Sequence, residues 1–157
     1  NFSPTLLSSQ IQSKLCVNPE WRDKSDSARY WRLRKIYMYH RRFFREDYGD
    51  DEFFMLSAFQ DRISGRPNEY LTGGTGLPTL IKWLETQADS NNCYVLSGRR
   101  KMQFLQPLLE YDAEHWIGMN QEHDFQHCAP DKNVFLPFPI YFPGTAYNLN
   151  FVMETEE

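Results

Sequence analysis

The stretch Ser25-Asp26-Ser27-Ala28-Arg29-Tyr30-Trp31-Arg32-Leu33-Arg34-Lys35-Ile36-Tyr37-Met38-Tyr39-His40-Arg41-Arg42-Phe43-Phe44-Arg45-Glu46-Asp47 runs without a glycine or proline. Ser25 and Asp26, coming after Asn18-Pro19, carry side-chain oxygens that can accept the unpaired N–H groups of a helix start. At roughly 100° per residue, Tyr30, Leu33, Ile36, Tyr37, His40, Phe43 and Phe44 fall on one broad face. Arg34, Lys35, Arg41, Arg42 and Arg45 fall on the other, with Trp31 and Met38 among them. The pattern predicts one long helix to about residue 47, apolar towards a core and basic towards solvent.

Upstream, Ser3-Pro4 followed by Leu7, Ile11 and Leu15 predicts a short amphipathic helix over residues 4–16. Downstream of the turn Tyr48-Gly49-Asp50, the acidic residues Asp50, Asp51 and Glu52 suit the positive end of a helix dipole. Phe53, Leu56, Phe59 and Ile63 then recur at helical spacing, until Gly65 and Pro67 stop the run. After the loop Thr72-Gly73-Gly74-Thr75-Gly76 and Pro78, residues 79–87 read as a further helix.

From Cys93 the texture changes. Cys93-Tyr94-Val95-Leu96 is strand-like and Gly98-Arg99-Arg100-Lys101 reads as an exposed turn. Residues 114–118 and 133–142 look extended, with Pro137 and Pro139 keeping the latter at a sheet edge. Alternation of Tyr147, Leu149, Phe151 and Met153 predicts a strand. The expected architecture is α+β: a helical N-terminal half of about four helices, packed with a small, mostly antiparallel sheet from the C-terminal half. All 157 residues are expected in a single domain, helical over about 4–88 and strand-rich over about 93–153.

Composition bounds the function. Hydrophobic residues make up 41% and aromatics 16%, too much large apolar surface for a disordered chain. No apolar run approaches the roughly 18 residues of a membrane helix, so no membrane span is expected. Cys16, Cys93 and Cys128 are odd in number and widely spaced, which favours an intracellular, reducing compartment over a disulfide framework. The chain starts at Asn1, which admits a mature organellar form, a tagged form or a fragment. The net charge of −4 hides an asymmetry: residues 1–46 hold ten Lys or Arg against four Asp or Glu, the remainder seven against seventeen. Fields of opposite sign on the two parts point to charged partners, or to mutual neutralisation across the fold.

Four constellations are candidate sites. Large apolar groups among arginines are typical of protein contact surfaces, so Trp31, Arg34, Lys35, Met38, Arg41, Arg42 and Arg45 are the leading candidates for binding an acidic protein. Local contact with nucleic acid or phosphate is the related option, although a pI near 5.6 disfavours a stand-alone nucleic-acid binder. Such helices are similar to those of LYR-type accessory subunits of mitochondria, but the Leu-Tyr-Arg tripeptide that defines them is absent and no family is assigned. The acidic residues Asp50, Asp51, Glu52, Glu110, Asp112 and Glu114 suit instead an inhibitor or immunity-type protein that neutralises a basic partner.

His115, His123 and His127, with Glu122, Asp124 and Cys128 beside them, are the candidate ligands of a divalent transition metal, with Glu122 or Asp124 as general base of a metal-dependent enzyme. His123 and His127 are four apart, as a helical metal pair requires, but this is not an HExxH motif. The glycine loop at 72–76 could offer backbone N–H groups to an anion, but it lacks the Lys-Ser/Thr ending of a P-loop. The expectation is therefore a non-enzymatic interaction domain without a cofactor, an accessory subunit of a larger assembly for which a mitochondrial setting is suitable.

Overall fold

The computed structural model of the chain describes residues 25–63, 75–87 and 92–152. Helices α1 (Ser25–His40), α2 (Asp50–Ser57) and α3 (Gly76–Gln87) precede strands β1 (Tyr94–Gln103) and β2 (Phe135–Asn148), which pair antiparallel. The mix is α+β, as expected. Three α-helices, not about four, lie among the described residues, and the helix expected over 4–16 falls outside them. The third helix crosses the chain's midpoint, so helices occupy its N-terminal and middle parts and not one clean half.

Helix α1 buries Tyr30, Leu33, Ile36 and His40, the stripe its spacing predicts. It ends seven residues earlier than expected. Residues Arg41–Phe43 tighten into a 3-10 turn and Phe44 is extended, with φ −62° and ψ 133°. The reason is tertiary, since no glycine or proline stops the helix. Arg45 and Tyr48 exchange backbone hydrogen bonds of 2.8 and 3.2 Å, folding the chain back. The turn delivers the buried Tyr48 to His40, whose Nδ1 lies 2.6 Å from the Tyr48 hydroxyl.

Helix α2 starts where the acidic residues predict. Glu52 accepts the Gly49 N–H at 2.8 Å, half of a capping box, since glycine has no side chain to reciprocate. The other Glu52 oxygen pairs with Arg100 of β1. Every residue from Glu52 to Gln60 is buried, which fits the unbroken apolar run Phe53-Phe54-Met55-Leu56 of α2. Its rings join those of α1: Tyr37 contacts Phe53 and Phe54 with centroids 5.3 and 5.1 Å apart, and His40 contacts Phe53 at 5.2 Å.

The two-stranded ribbon doubles back on itself. A straight ten-residue strand would hold its ends roughly 30 Å apart, yet Phe104 N–H donates to the Cys93 carbonyl at 2.9 Å, joining the two ends of β1. The bend lies at Gly98, whose φ of 61° few other residues adopt, and pairing is irregular on either side of it. The basic turn expected at Gly98-Arg99-Arg100-Lys101 is thus a bend inside a strand. Val95, Met102 and Phe135 of the ribbon are buried in a core that also contains Ile81 and Leu84 of α3.

Between Gln103 and Phe135 the chain forms one short 3-10 helix, Gln106–Leu108, and then a long loop. The extended segment expected at 114–118 is instead part of this loop, closed by a bridge between Tyr111 and Ile117. Side chains supply its missing backbone order. Gln60 of the α2 end accepts the Ile117 N–H at 2.8 Å and donates to the Ile117 carbonyl at 2.9 Å, as a neighbouring strand would. Asn120, almost wholly buried, donates to the carbonyls of Asp124 and Ala129 at 2.9 and 3.1 Å and accepts the Asp124 N–H at 3.0 Å.

Gly118 lies against this network. A Cβ there would sit 2.8 Å from both Asn120 Nδ2 and the Asp124 carbonyl carbon. Neither can retreat without breaking the loop's hydrogen bonds, so Gly118→Ala is expected to destabilise the fold by about 2 kcal/mol. Urea denaturation of the two proteins measures this, and an unchanged midpoint would show that the loop yields freely.

Candidate functional site

The arginines of α1 divide into two groups that the sequence does not distinguish. Arg29 is directed inward. Its guanidinium donates to the backbone carbonyls of Asp61, Glu114 (2.9 Å) and His115 (2.7 Å) and lies 3.8 Å from the Trp116 ring centre. Burial lowers its pKa, although an arginine keeps its charge at any ordinary pH. Arg32 grips the Gln126 side-chain oxygen at 2.8 and 2.5 Å, and Gln126 in turn donates to Glu114 at 3.0 Å. These two cations tie α1 to the long loop, a role that spacing alone could not reveal because the loop is a partner 85 or more residues away.

Arg34, Lys35, Arg41 and Arg42 are exposed, and among the described residues none of them makes an ion pair. Arg34 lies 5.4 Å from the ring centre of the half-buried Trp31, and Arg42 lies 4.6 Å from that of Tyr39. Met38 is 54% exposed between them. Positions 31, 34, 35, 38, 41 and 42 recur every three or four residues, so they form one ridge along α1 and the turn after it. Arg45 is the exception, being paired with Asp47 at 2.5 Å beyond the end of the helix.

The expected histidine set is not assembled. Among the described residues no three His, Cys, Asp or Glu side chains are grouped to hold a metal ion. His123 Nε2 faces Glu110 at 3.5 Å, while His127 Nδ1 lies 3.0 Å from Asp124. His115 is exposed and contributes its backbone carbonyl to Arg29. His115 and His123 have φ of 63° and 50°, so each occupies a tight turn rather than a helical ladder. Burial, with the carboxylates of Asp124 and Glu122, pushes the Cys128 thiol up, away from the thiolate a nucleophile needs.

The acidic candidates are engaged within the fold. Asp50 accepts the Tyr37 hydroxyl at 2.7 Å, and Asp112 caps the N–H groups of Glu114 and Trp116 at 2.8 and 2.9 Å. Glu52 is buried against Arg100, Glu110 faces His123, and Glu114 receives Gln126. Of the glycine loop, Thr72, Gly73 and Gly74 lie outside the described residues, and Gly76 opens α3.

The chain matches no known family model, no curated protein and no solved structure.

Behind the ridge, His40 joins three segments. Its Nε2 lies 2.5 Å from the Phe125 carbonyl, which can only accept, so Nε2 carries the proton and Nδ1 of the neutral ring accepts from the Tyr48 hydroxyl. Burial pushes this imidazole from its ordinary value near 6.5 down to about 4. A depressed value means that the fold prefers the neutral ring. The stabilisation is complete above pH 6.5 and is lost as pH falls from there towards 4.

About 3 kcal/mol of stability should disappear over that interval. His40→Gln, which keeps a donor for Phe125, should show a correspondingly shallower loss, as read from urea midpoints at pH 7, 5.5 and 4. Parallel profiles would show that His40 does not titrate in this window. Arg29→Met should likewise cost about 3 kcal/mol by leaving backbone carbonyls unpaired, whereas Arg34→Met should stay within about 0.5 kcal/mol. Equal effects of the two in the same denaturation experiment would refute the division of the arginines.

Proposed function

We propose that this protein is a non-enzymatic interaction subunit that docks an acidic surface of a partner protein through the α1 ridge. Trp31, Arg34, Lys35, Met38, Arg41 and Arg42 form the contact, with Arg45 at its margin. The observation that carries this reading is an exposed methionine set among cations that make no ion pair among the described residues, on a helix whose other two arginines, Arg29 and Arg32, are committed to its own fold. Trp, Met and Arg are the residue types enriched at protein interfaces, and desolvating such a mixed surface rewards a partner that presents both carboxylates and an apolar pocket.

The acidic residues, by contrast, already hold hydroxyl, backbone and guanidinium partners, so the ridge is favoured over an acidic inhibitor surface. The assembly it joins belongs in a reducing compartment on this reading, and an organellar, mitochondrial setting is compatible with it. A nucleic-acid phosphate is the competing occupant, because arginine forks fit it equally well.

The test is sedimentation of the full chain in extract of its source. The wild type should migrate in a larger complex that resists nuclease, and Arg34→Glu/Arg41→Glu/Arg42→Glu should migrate as free protein with an unchanged circular dichroism spectrum. Met38→Ala should weaken association with the identified partner about tenfold. Association that survives the triple reversal would remove the ridge from consideration, and release by nuclease would transfer it to nucleic acid.

A further inference from the structure

A second surface lies at the bend of the ribbon. Gly98 is opposite Phe142 and Arg100 is opposite Pro137, so Arg99 faces a bulge of four residues, Phe138-Pro139-Ile140-Tyr141. Ile140 is 69% exposed, the most exposed of the large apolar side chains among the described residues, and Pro139 and Tyr141 are exposed beside it. From Asn133 to Met153 the sequence has no Asp, Glu, Lys or Arg, in a chain that is 24% charged. Exposed strand edges are usually protected by charge. Here prolines take that role.

Those prolines restrict the occupant. Pro137, Pro139 and Pro143 have no N–H to offer, so an added strand from a peptide or a second copy would find its ladder interrupted three times within seven residues. A folded protein partner ordinarily satisfies about one hydrogen bond per 100–200 Å² of interface, and the bulge presents only the Tyr141 hydroxyl among its side chains. A lipid interface makes no such demand. It accommodates aliphatic and proline side chains together with a tyrosine whose polar tip stays among the headgroups.

Charge next to the bulge has the matching sign. Arg99 is exposed, Lys101 is half-exposed with its ammonium 4.3 Å from the Tyr94 ring centre, and neither makes an ion pair among the described residues. The neighbouring Arg45 and Arg100 are neutralised by Asp47 and Glu52. Two cations beside an uncharged apolar projection are complementary to anionic headgroups over a hydrocarbon layer.

We propose that the ribbon bend is a peripheral membrane contact, in which Pro139, Ile140 and Tyr141 enter the interface of an anionic bilayer while Arg99 and Lys101 meet its headgroups. The contact is reversible and shallow. It shares none of its residues with the α1 ridge, so the protein can present a membrane-facing bend and a partner-facing helix.

Flotation of the purified full chain with phosphatidylcholine vesicles, with and without phosphatidylserine, tests this. Binding should require phosphatidylserine, weaken about tenfold or more for Ile140→Asp, weaken also for Arg99→Glu, and persist in Arg34→Glu/Arg41→Glu/Arg42→Glu. Ile140 is exposed, so the variant should fold, with a circular dichroism spectrum like that of the wild type as the check. Absence of binding to the anionic vesicles would overturn the proposal, as would binding unaffected by Ile140→Asp or abolished by the ridge variant. Self-association in sedimentation equilibrium that Ile140→Asp abolishes would overturn it in favour of a second copy of the chain. The ridge reading is tested without vesicles and stands or falls separately.

Discussion

His40 occupies the point where the first helix, the Arg45–Tyr48 turn and the long loop meet, and each is held there by one of its two ring nitrogens or by its ring face. The Phe125 carbonyl fixes which nitrogen carries the proton, and that assignment lets the Tyr48 hydroxyl donate to the other. Packed edge-on or tilted around the ring are Phe43, Phe53 and Phe125, with centroids 5.2 to 5.5 Å away. A neutral imidazole is therefore both a hydrogen-bonded bridge and part of an aromatic core. Charging it would leave a buried cation whose desolvation outweighs the attraction of Asp124.

The loop that His40 helps to hold is long for a segment without regular structure, and such segments are usually either functional or disordered. This one is ordered by side chains acting as substitutes for strand neighbours. Gln60 copies the hydrogen-bonding pattern of a strand against Ile117, Asn120 gathers carbonyls from the far side of its own turn, and Arg29 collects three more from two segments. Buried amides and a guanidinium are costly to place unless fully paired, and here each is paired. The loop is thus fixed to α1 and α2, while Arg34, Lys35 and Met38 of α1 stay exposed among the described residues.

That division gives the charge asymmetry its meaning. The cations of α1 and the carboxylates of the later chain do not neutralise one another as a block. Arg29 and Arg32 meet carbonyls and an amide, the carboxylates meet hydroxyls, N–H groups and Arg100, and the ridge keeps its positive field. At the other extreme, the bend of the ribbon exposes apolar side chains of an uncharged segment, with Arg99 and Lys101 beside them. The two surfaces differ in chemistry, which is why we assign them different occupants.

Much of this was legible in the sequence because it depends on local periodicity. The buried stripe of α1 follows from 3.6-residue spacing, the start of α2 from three acidic residues before an apolar run, and the extended segment expected over 133–142 falls mostly within β2, whereas the strand that alternation predicts from Tyr147 to Met153 is over by Asn148. The exposed members of the ridge were equally readable, since they lie opposite that stripe. The end of α1 at His40 was not, because no local breaker stands there and the cause is a hydroxyl eight residues on. Nor were the inward roles of Arg29 and Arg32, the separation of His123 from His127, or the reversal of β1 at Gly98. Each of these depends on a partner far away in the chain or on how a loop closes. Sequence by itself determined which faces are apolar and which are charged, through side-chain period, and only the tertiary structure decided which polar groups are consumed in holding the fold and which remain for a partner, because hydrogen bonds between distant segments leave no spacing to read.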